Sequence, residues 1–368
     1  MEFIFLDNRQ QRGVEMKKSM QNFVIGLLIF GCAVLLIFFW GKNVYFKEML
    51  AEEGLDKSEE KSYKYQFVMI VDEPESAFWQ SVYKSARLCA EAHDVLLEMN
   101  GSNWDNQYEK KDYMNMNIAA QVDGIILEYN GENGMEEKIN EAVEAGIPVV
   151  TVMGDATASG RQSFVGINDY QMGAAYGEEV AKYVTEDTKS ITILKKMNPG
   201  DMKQSQLFTQ ISNAALAKAA EGQKLKIDGK TLVSTGSFDT EETIRNIFQQ
   251  VGGPPDILVC MDEETTECAL QAMIDYNMAG KVKIIGYYTS EVVKDALLKG
   301  LIPSTCDIDT NSLGTYSVES LLEYLEEGRV NVYYSVDLKF VTAESLTEME
   351  RSQEKIEKIQ VEKSFTGQ

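Results

Sequence analysis

The chain has 368 residues, 44% hydrophobic and 25% charged, with 58 acidic against 35 basic residues and a formal net charge of −23. That composition suits a folded protein of roughly two domains, and so acidic a surface repels phosphate backbones and argues against a nucleic-acid partner. One histidine, His93, and five cysteines with no CxxC spacing argue against a zinc site and against a disulfide framework.

The first informative stretch is "FVIGLLIFGCAVLLIFFW", residues 23 to 40, from Phe23 to Trp40, an apolar run without a charge. At about 1.5 Å per residue it spans about 27 Å, enough for a bilayer core. Arg9, Arg12, Lys17 and Lys18 precede it and only Lys42 and Lys47 follow closely. That excess places residues 1–22 in the cytoplasm and the bulk of the chain outside. No small-x-small cleavage pattern closes the run, and it continues well past Cys32 in the loosely lipoprotein-like "IFGC". It therefore reads as an uncleaved anchor. Residues 41–64, rich in lysine and glutamate, read as a stalk.

From Tyr65 onward, short apolar runs alternate with amphipathic stretches. Strands are expected at 65–71, 95–99, 122–128, 147–153 and 163–169, with helices at 77–92, 105–120 and 134–145. The scheme then restarts. Helices at 170–185, 202–220, 240–251 and 263–277 alternate with strands at 190–196, 225–235, 256–261 and 281–287. A strand near 302–306, a helix at 312–327 and a strand at 333–341 follow. Strands separated by helices define βαβ units and parallel sheets, here two of them. The segment after residue 302 is too short for a third domain and is expected to complete both. The tail from residue 346 is charged and reads as a loose helix.

In open parallel sheets, ligands sit beyond the carboxyl ends of the strands. The loops there run from Asp72 to Trp79, Asn100 to Trp104, Glu128 to Asn130 and Met153 to Asp155 in the first half. In the second half they run from Met197 to Met202, Ser237 to Asp239, Asp262 to Glu264 and Tyr287 to Thr289. They are rich in rings, carboxylates and amides. Rings cover the CH face of a polyhydroxylated ligand, and acids and amides take its hydroxyls. Glu263, Glu264 and Glu267 have a simpler reading as acids at the start of a helix. Lys195 reads as a solvated strand end. "DGKT" at 228–231 lacks the earlier glycine of a phosphate loop and reads as a turn.

The motifs "ESAFWQSVYKSA", "DGIILEYN", "EAGIPVVTV", "FVGINDYQMGAAYGEEVA", "ILVCMDEETTECALQAM", "KIIGYYTSEVVKDALLKG" and "VDLKFV" stand in the order found in the type I periplasmic binding proteins of the ribose-binding and LacI/GalR group. The chain resembles that family from about Tyr65 to Thr342. The resemblance implies two Rossmann-like lobes with parallel sheets, joined by three crossovers near 166–170, 307–310 and 338–341. The lobes would be 65–168 with 309–339, and 169–308 with 340–345. It also implies a ligand held between the lobes, with closure about the crossovers. Carried over by position, Ser76, Phe78 and Trp79 match the motif that packs on a sugar ring, one ring facing the cleft and the other the sheet. Phe238 matches a second-lobe aromatic and Asp262 a contact after its strand. Met153, Ser205 and Tyr288 stand at further reader positions, and Glu128 is a candidate from its own strand-end loop. Three of these depart from the sugar binders: Met153-Gly154 replaces Asp-Arg, an arginine is missing near Ser205, and Tyr288 stands where an aspartate is expected.

The leading expectation is an anchored extracytoplasmic binding protein for a sugar or cyclitol. Anchored relatives hand ligand occupancy to a sensor histidine kinase, whereas free ones deliver solute to an ABC permease. The anchor and the short stalk favour the kinase. A repressor on this fold needs a helix-turn-helix where this chain has its apolar run. An enzyme is disfavoured by the absence of GxSxG, GxGxxG and P-loop motifs, and no cofactor or metal is expected.

Overall fold

The computed structural model describes residues 62–101, 108–196, 205–232, 237–348 and 351. The apolar run at 23–40, most of the stalk and nearly all of the tail lie outside the described residues, so the expected anchor does too. Among the described residues no helix is long and apolar enough to cross a membrane.

The first stretch runs β1 (Tyr65–Val71), α1 (Ala77–Ala92), β2 (Val95–Gly101), α2 (Lys110–Ala120), β3 (Gly124–Glu128), α3 (Met135–Glu144), β4 (Val149–Val152) and β5 (Ser163–Gly166). The second runs α4 (Asp169–Tyr183), β6 (Ser190–Lys196), α5 (Gln206–Lys218), β7 (Lys226–Leu232), α6 (Ser237–Gln249), β8 (Ile257–Cys260), α7 (Glu263–Asp275), β9 (Lys283–Tyr287), α8 (Glu291–Leu298) and β10 (Ser304–Ile308). The chain ends with α9 (Thr310–Glu327), β11 (Tyr333–Ser335) and β12 (Leu338–Val341).

Two six-stranded sheets result, in the orders β11-β5-β4-β3-β1-β2 and β12-β10-β9-β8-β6-β7. Every pairing is parallel except β10 with β12. β1 shows why the sheets stay inside. Phe67 to Val71 are all fully buried, with Phe67, Met69 and Val71 in one core cluster and Val68 and Ile70 in another. Helices cover both faces of the strand, so it reads as an unbroken apolar run. Burying each such side chain contributes about 1.5–3 kcal/mol.

The chain passes between the lobes at Ile167–Asn168, at Asp309 and at Val336–Asp337. These passages are tied together. The Val336 amide donates to the Gly166 carbonyl (3.0 Å), and the Asp309 amide to the Asp337 carbonyl (3.0 Å). Two boundaries differ from the sequence reading. Leu338 and Lys339, assigned there to the first lobe, pair with Ile308 and Asp307 in the second sheet. Leu346, assigned to the tail, is 6% exposed and packs in the second lobe's core. The charges flanking it hid that one apolar anchor. The single strand expected at 333–341 is two, because the chain changes sheets in its middle.

Candidate ligand-binding cleft

The strands of both sheets end at a shared cleft with a cavity of about 590 Å³. That volume matches a small-molecule site.

One wall is the start of α1. Ser76 caps it, its hydroxyl accepting from the Trp79 amide at 3.2 Å. Phe78 and Trp79 line the cavity, 4% and 5% exposed, in an edge-to-face pair with centroids 5.1 Å apart. Both also belong to the core cluster that holds Phe67, Met69 and Val71 of β1. Phe78 also packs on the second lobe, 5.5 Å from the ring of Tyr287 and 5.4 Å from that of Tyr288.

Behind that wall lies a charged network that the sequence did not reveal. Lys110, the first residue of α2, is 5% exposed. Its ammonium pairs with Asp72 at 2.9 Å and with Glu132, and donates to the Glu128 carbonyl at 3.0 Å. Burial alone would lower the Lys110 ammonium; Glu128, Asp72 and Glu132 outweigh it and raise it above its ordinary range. The Glu128 carboxylate accepts from the Asp72 amide (2.7 Å) and the Asn130 side chain (3.1 Å). Burial pushes its carboxyl up to about 7; Lys110 opposes that and Asp72 adds to it. Asn130 bridges Glu128 to Asp72, donating to the latter at 3.0 Å. Asp72, Glu128 and Asn130 thus face the cavity as acceptors and an amide held in place from behind.

The loop after β4 explains one departure from the sugar-binder pattern. Met153 lines the cavity with left-handed backbone, φ 63°. A Cβ at Gly154 would lie 1.9 Å from the Tyr129 carbonyl oxygen, so no arginine fits there. Further along the loop, Arg161 brings a guanidinium to the cavity, paired with Asp155 at 2.5 Å and donating to the Val332 carbonyl at 3.2 Å. Beside it Phe164 and Tyr333 stack, with centroids 5.2 Å apart and planes 9° apart. The opposite wall carries Asp262, the cap of α7, whose carboxylate accepts from the Thr265 amide at 2.8 Å. Lys195 also lines the cavity, paired with Asp169 at 3.2 Å, rather than standing as a solvated strand end.

Of the nine residues expected at the site, Ser76, Phe78, Trp79, Glu128, Met153 and Asp262 line the cavity. Ser205 does not: it caps α5, accepting from the Phe208 amide at 3.1 Å. Tyr288 does not either. It packs on Phe78, and its neighbour Tyr287 takes the wall. Phe238 lies in the first turn of α6, and its side chain is outside the described residues.

Two α/β lobes with mostly parallel sheets, joined by three crossovers around a cleft, define a type I periplasmic binding protein fold. Residues 67–329 match the periplasmic binding protein domain family, and the chain belongs to that family. No protein of curated function matches it. Solved structures do. GanP, a glucose-galactose binding protein from Geobacillus stearothermophilus, shares 22% identity at a TM-score of 0.64, over 77% of this chain and 98% of its own. An ABC transporter solute-binding protein from Burkholderia graminis, in complex with D-arabinose, shares 15% at 0.65, over 78% and 98%. The XylFII–LytSN complex matches at 22% and 0.60, over 77% and 99%. At these identities the likeness concerns the fold.

Proposed function

We propose that this chain is an extracytoplasmic solute-binding protein, anchored by residues 23–40, which closes its lobes on a sugar or cyclitol and signals occupancy to a sensor histidine kinase. The observation that carries the binding reading is the cavity itself. The rings of Trp79, Phe164 and Tyr333 offer apolar faces, while Asp72, Glu128, Asn130 and Asp262 offer acceptors and an amide. That combination suits a ligand with CH faces and hydroxyl edges. GanP and the arabinose-bound protein, similar in fold, are sugar binders by description. The XylFII–LytSN complex supports the signalling reading, because there the fold is found with a second component. A second reading, the binding component of an ABC sugar importer, is favoured by the arabinose-bound neighbour. No catalytic step is assigned to the chain.

Thermal unfolding of the full chain in detergent, screened against monosaccharides, cyclitols and amino acids, tests the binding reading. A ligand present at a hundred times its Kd stabilises by about 2.7 kcal/mol. At least one polyhydroxylated compound should raise the midpoint. A shift confined to amino acids contradicts the sugar reading. Ligand-dependent co-purification with a kinase ectodomain or with a permease separates the two outputs.

A further inference from the structure

The first turn of any helix leaves backbone N–H groups without intrahelical partners. In α1 these belong to Ala77, Phe78 and Trp79. Ser76 of the same lobe takes the Trp79 amide. The other two are taken from across the cleft. Glu263, the first residue of α7 in the second lobe, accepts from the Ala77 amide at 3.2 Å with one carboxylate oxygen and from the Phe78 amide at 2.9 Å with the other. A carboxylate at a helix N-terminus also meets the positive end of the helix dipole. Beside this contact, Phe78 packs on Tyr287 and Tyr288, again across the cleft. The adjacent acids at the start of α7 do other work: Asp262 caps its own helix, and Glu264 accepts from Thr240 at 3.4 Å.

We infer that Glu263 is a latch, a protein-supplied anion that holds the two lobes closed on the start of α1 before any ligand arrives. Charge-assisted bonds to a carboxylate are stronger than neutral ones, and these two join the lobes at the rim of the cavity. The ligand then adds to a closure that the protein already favours, so the equilibrium between open and closed lobes is set partly by residue 263. This goes beyond the proposed function and does not depend on which solute binds.

Hydrogen exchange read at single amides, on the full chain in detergent without added ligand, tests the latch. In the parent protein the Ala77 and Phe78 amides should be protected. Glu263→Ala should speed their exchange about tenfold or more, the loss of one strong charge-assisted contact. Glu263→Gln, which keeps one acceptor oxygen, should fall between. Trp79, held by Ser76, should stay protected in both, which shows that α1 remains folded. Glu291→Ala, at the start of α8, should change neither amide. If Glu263→Ala loses protection throughout the second lobe, Ala77→Pro serves instead. Proline is tolerated at the first helical position and removes one latch donor, so the Phe78 amide should then exchange faster. Parent amides at Ala77 and Phe78 that exchange as fast as those of Glu263→Ala, or a Phe78 amide that Ala77→Pro leaves unchanged, would overturn the latch.

Discussion

Met153 and Tyr288 hold the same position in the two lobes. Each is the first residue past a strand, β4 or β9, that lies third in its sheet. Each has a φ of 63°. Each donates its amide to the neighbouring strand, Met153 to the Val165 carbonyl at 3.1 Å and Tyr288 to the Cys306 carbonyl at 2.6 Å. The two lobes therefore leave equivalent strands with the same backbone device, left-handed at a residue other than glycine; it places Met153 on the cavity wall and Tyr288 against Phe78.

That conformation is disfavoured for side chains branched at Cβ. Met153→Val is expected to lower stability by roughly 1–3 kcal/mol, the usual scale of such strain. Met153→Gly, which has no Cβ to strain, should be the milder change. Urea midpoints of the two variants check the order; a valine variant as stable as the glycine variant would contradict it.

Lys110 holds Asp72 and Glu132 together behind the cavity wall. Lys110→Met leaves those carboxylates and Glu128 without their cation. Removing one partner of a buried ion pair costs about 3–5 kcal/mol. Urea unfolding at neutral pH should show a loss of that size, and the deficit should shrink in acid as the carboxylates take up protons.

Glu128 makes stability depend on pH in a stated direction. Its carboxyl is raised from the ordinary 4.5 to about 7 in the folded chain, chiefly by burial. Between those values the folded state holds a proton that the unfolded state has released. Stability therefore falls as pH rises through that window and levels off above it. Unfolding midpoints across the window should slope downward in the parent protein, with a shallower slope in Glu128→Gln. Equal slopes would show that Glu128 is not the group responsible.

Asp262 has two duties that two substitutions separate. Asp262→Asn keeps the cap on Thr265, since asparagine caps as well as aspartate, whereas Asp262→Ala costs about 0.5–2 kcal/mol of stability. Both remove the charged acceptor facing the cavity. Both should weaken ligand binding, while only the alanine variant should lose thermal stability.

Much of this architecture was legible in the sequence. β1 and α1 were read with their observed limits, because β1 is an apolar run buried on both faces and α1 repeats apolar residues at helical spacing. The short helix α8 was passed over, since its eight residues between a turn and Gly300 give little periodicity. The six site residues that line the cavity all sit at strand ends or helix starts, where topology alone points to the cleft. Lys110 and Arg161 escaped because they arrive from elsewhere, one from the start of α2 and one from late in the loop between β4 and β5. Nothing in local spacing marks a lysine that will be buried among carboxylates at and just beyond the ends of β1 and β3. Tyr287 and Tyr288 show the finer limit. The sequence offered both; Tyr287, the last residue of β9, lines the cavity, and Tyr288 just past it packs on Phe78.

The central claim is that a polyhydroxylated ligand binds between the lobes against Trp79 and Asp262. Calorimetric titration of the full chain with the sugar or cyclitol giving the largest thermal shift tests it most directly, alongside Trp79→Ala, Asp262→Asn and the exposed control Glu291→Ala. Trp79→Ala removes ring contact and should weaken binding by roughly 1–3 kcal/mol. Asp262→Asn removes a charged acceptor and should cost a similar ~1.5–3 kcal/mol, while Glu291→Ala should bind like the parent. If Trp79→Ala and Asp262→Asn, both still folded by their cooperative unfolding, bind that ligand as tightly as the parent, the ligand does not occupy this cleft.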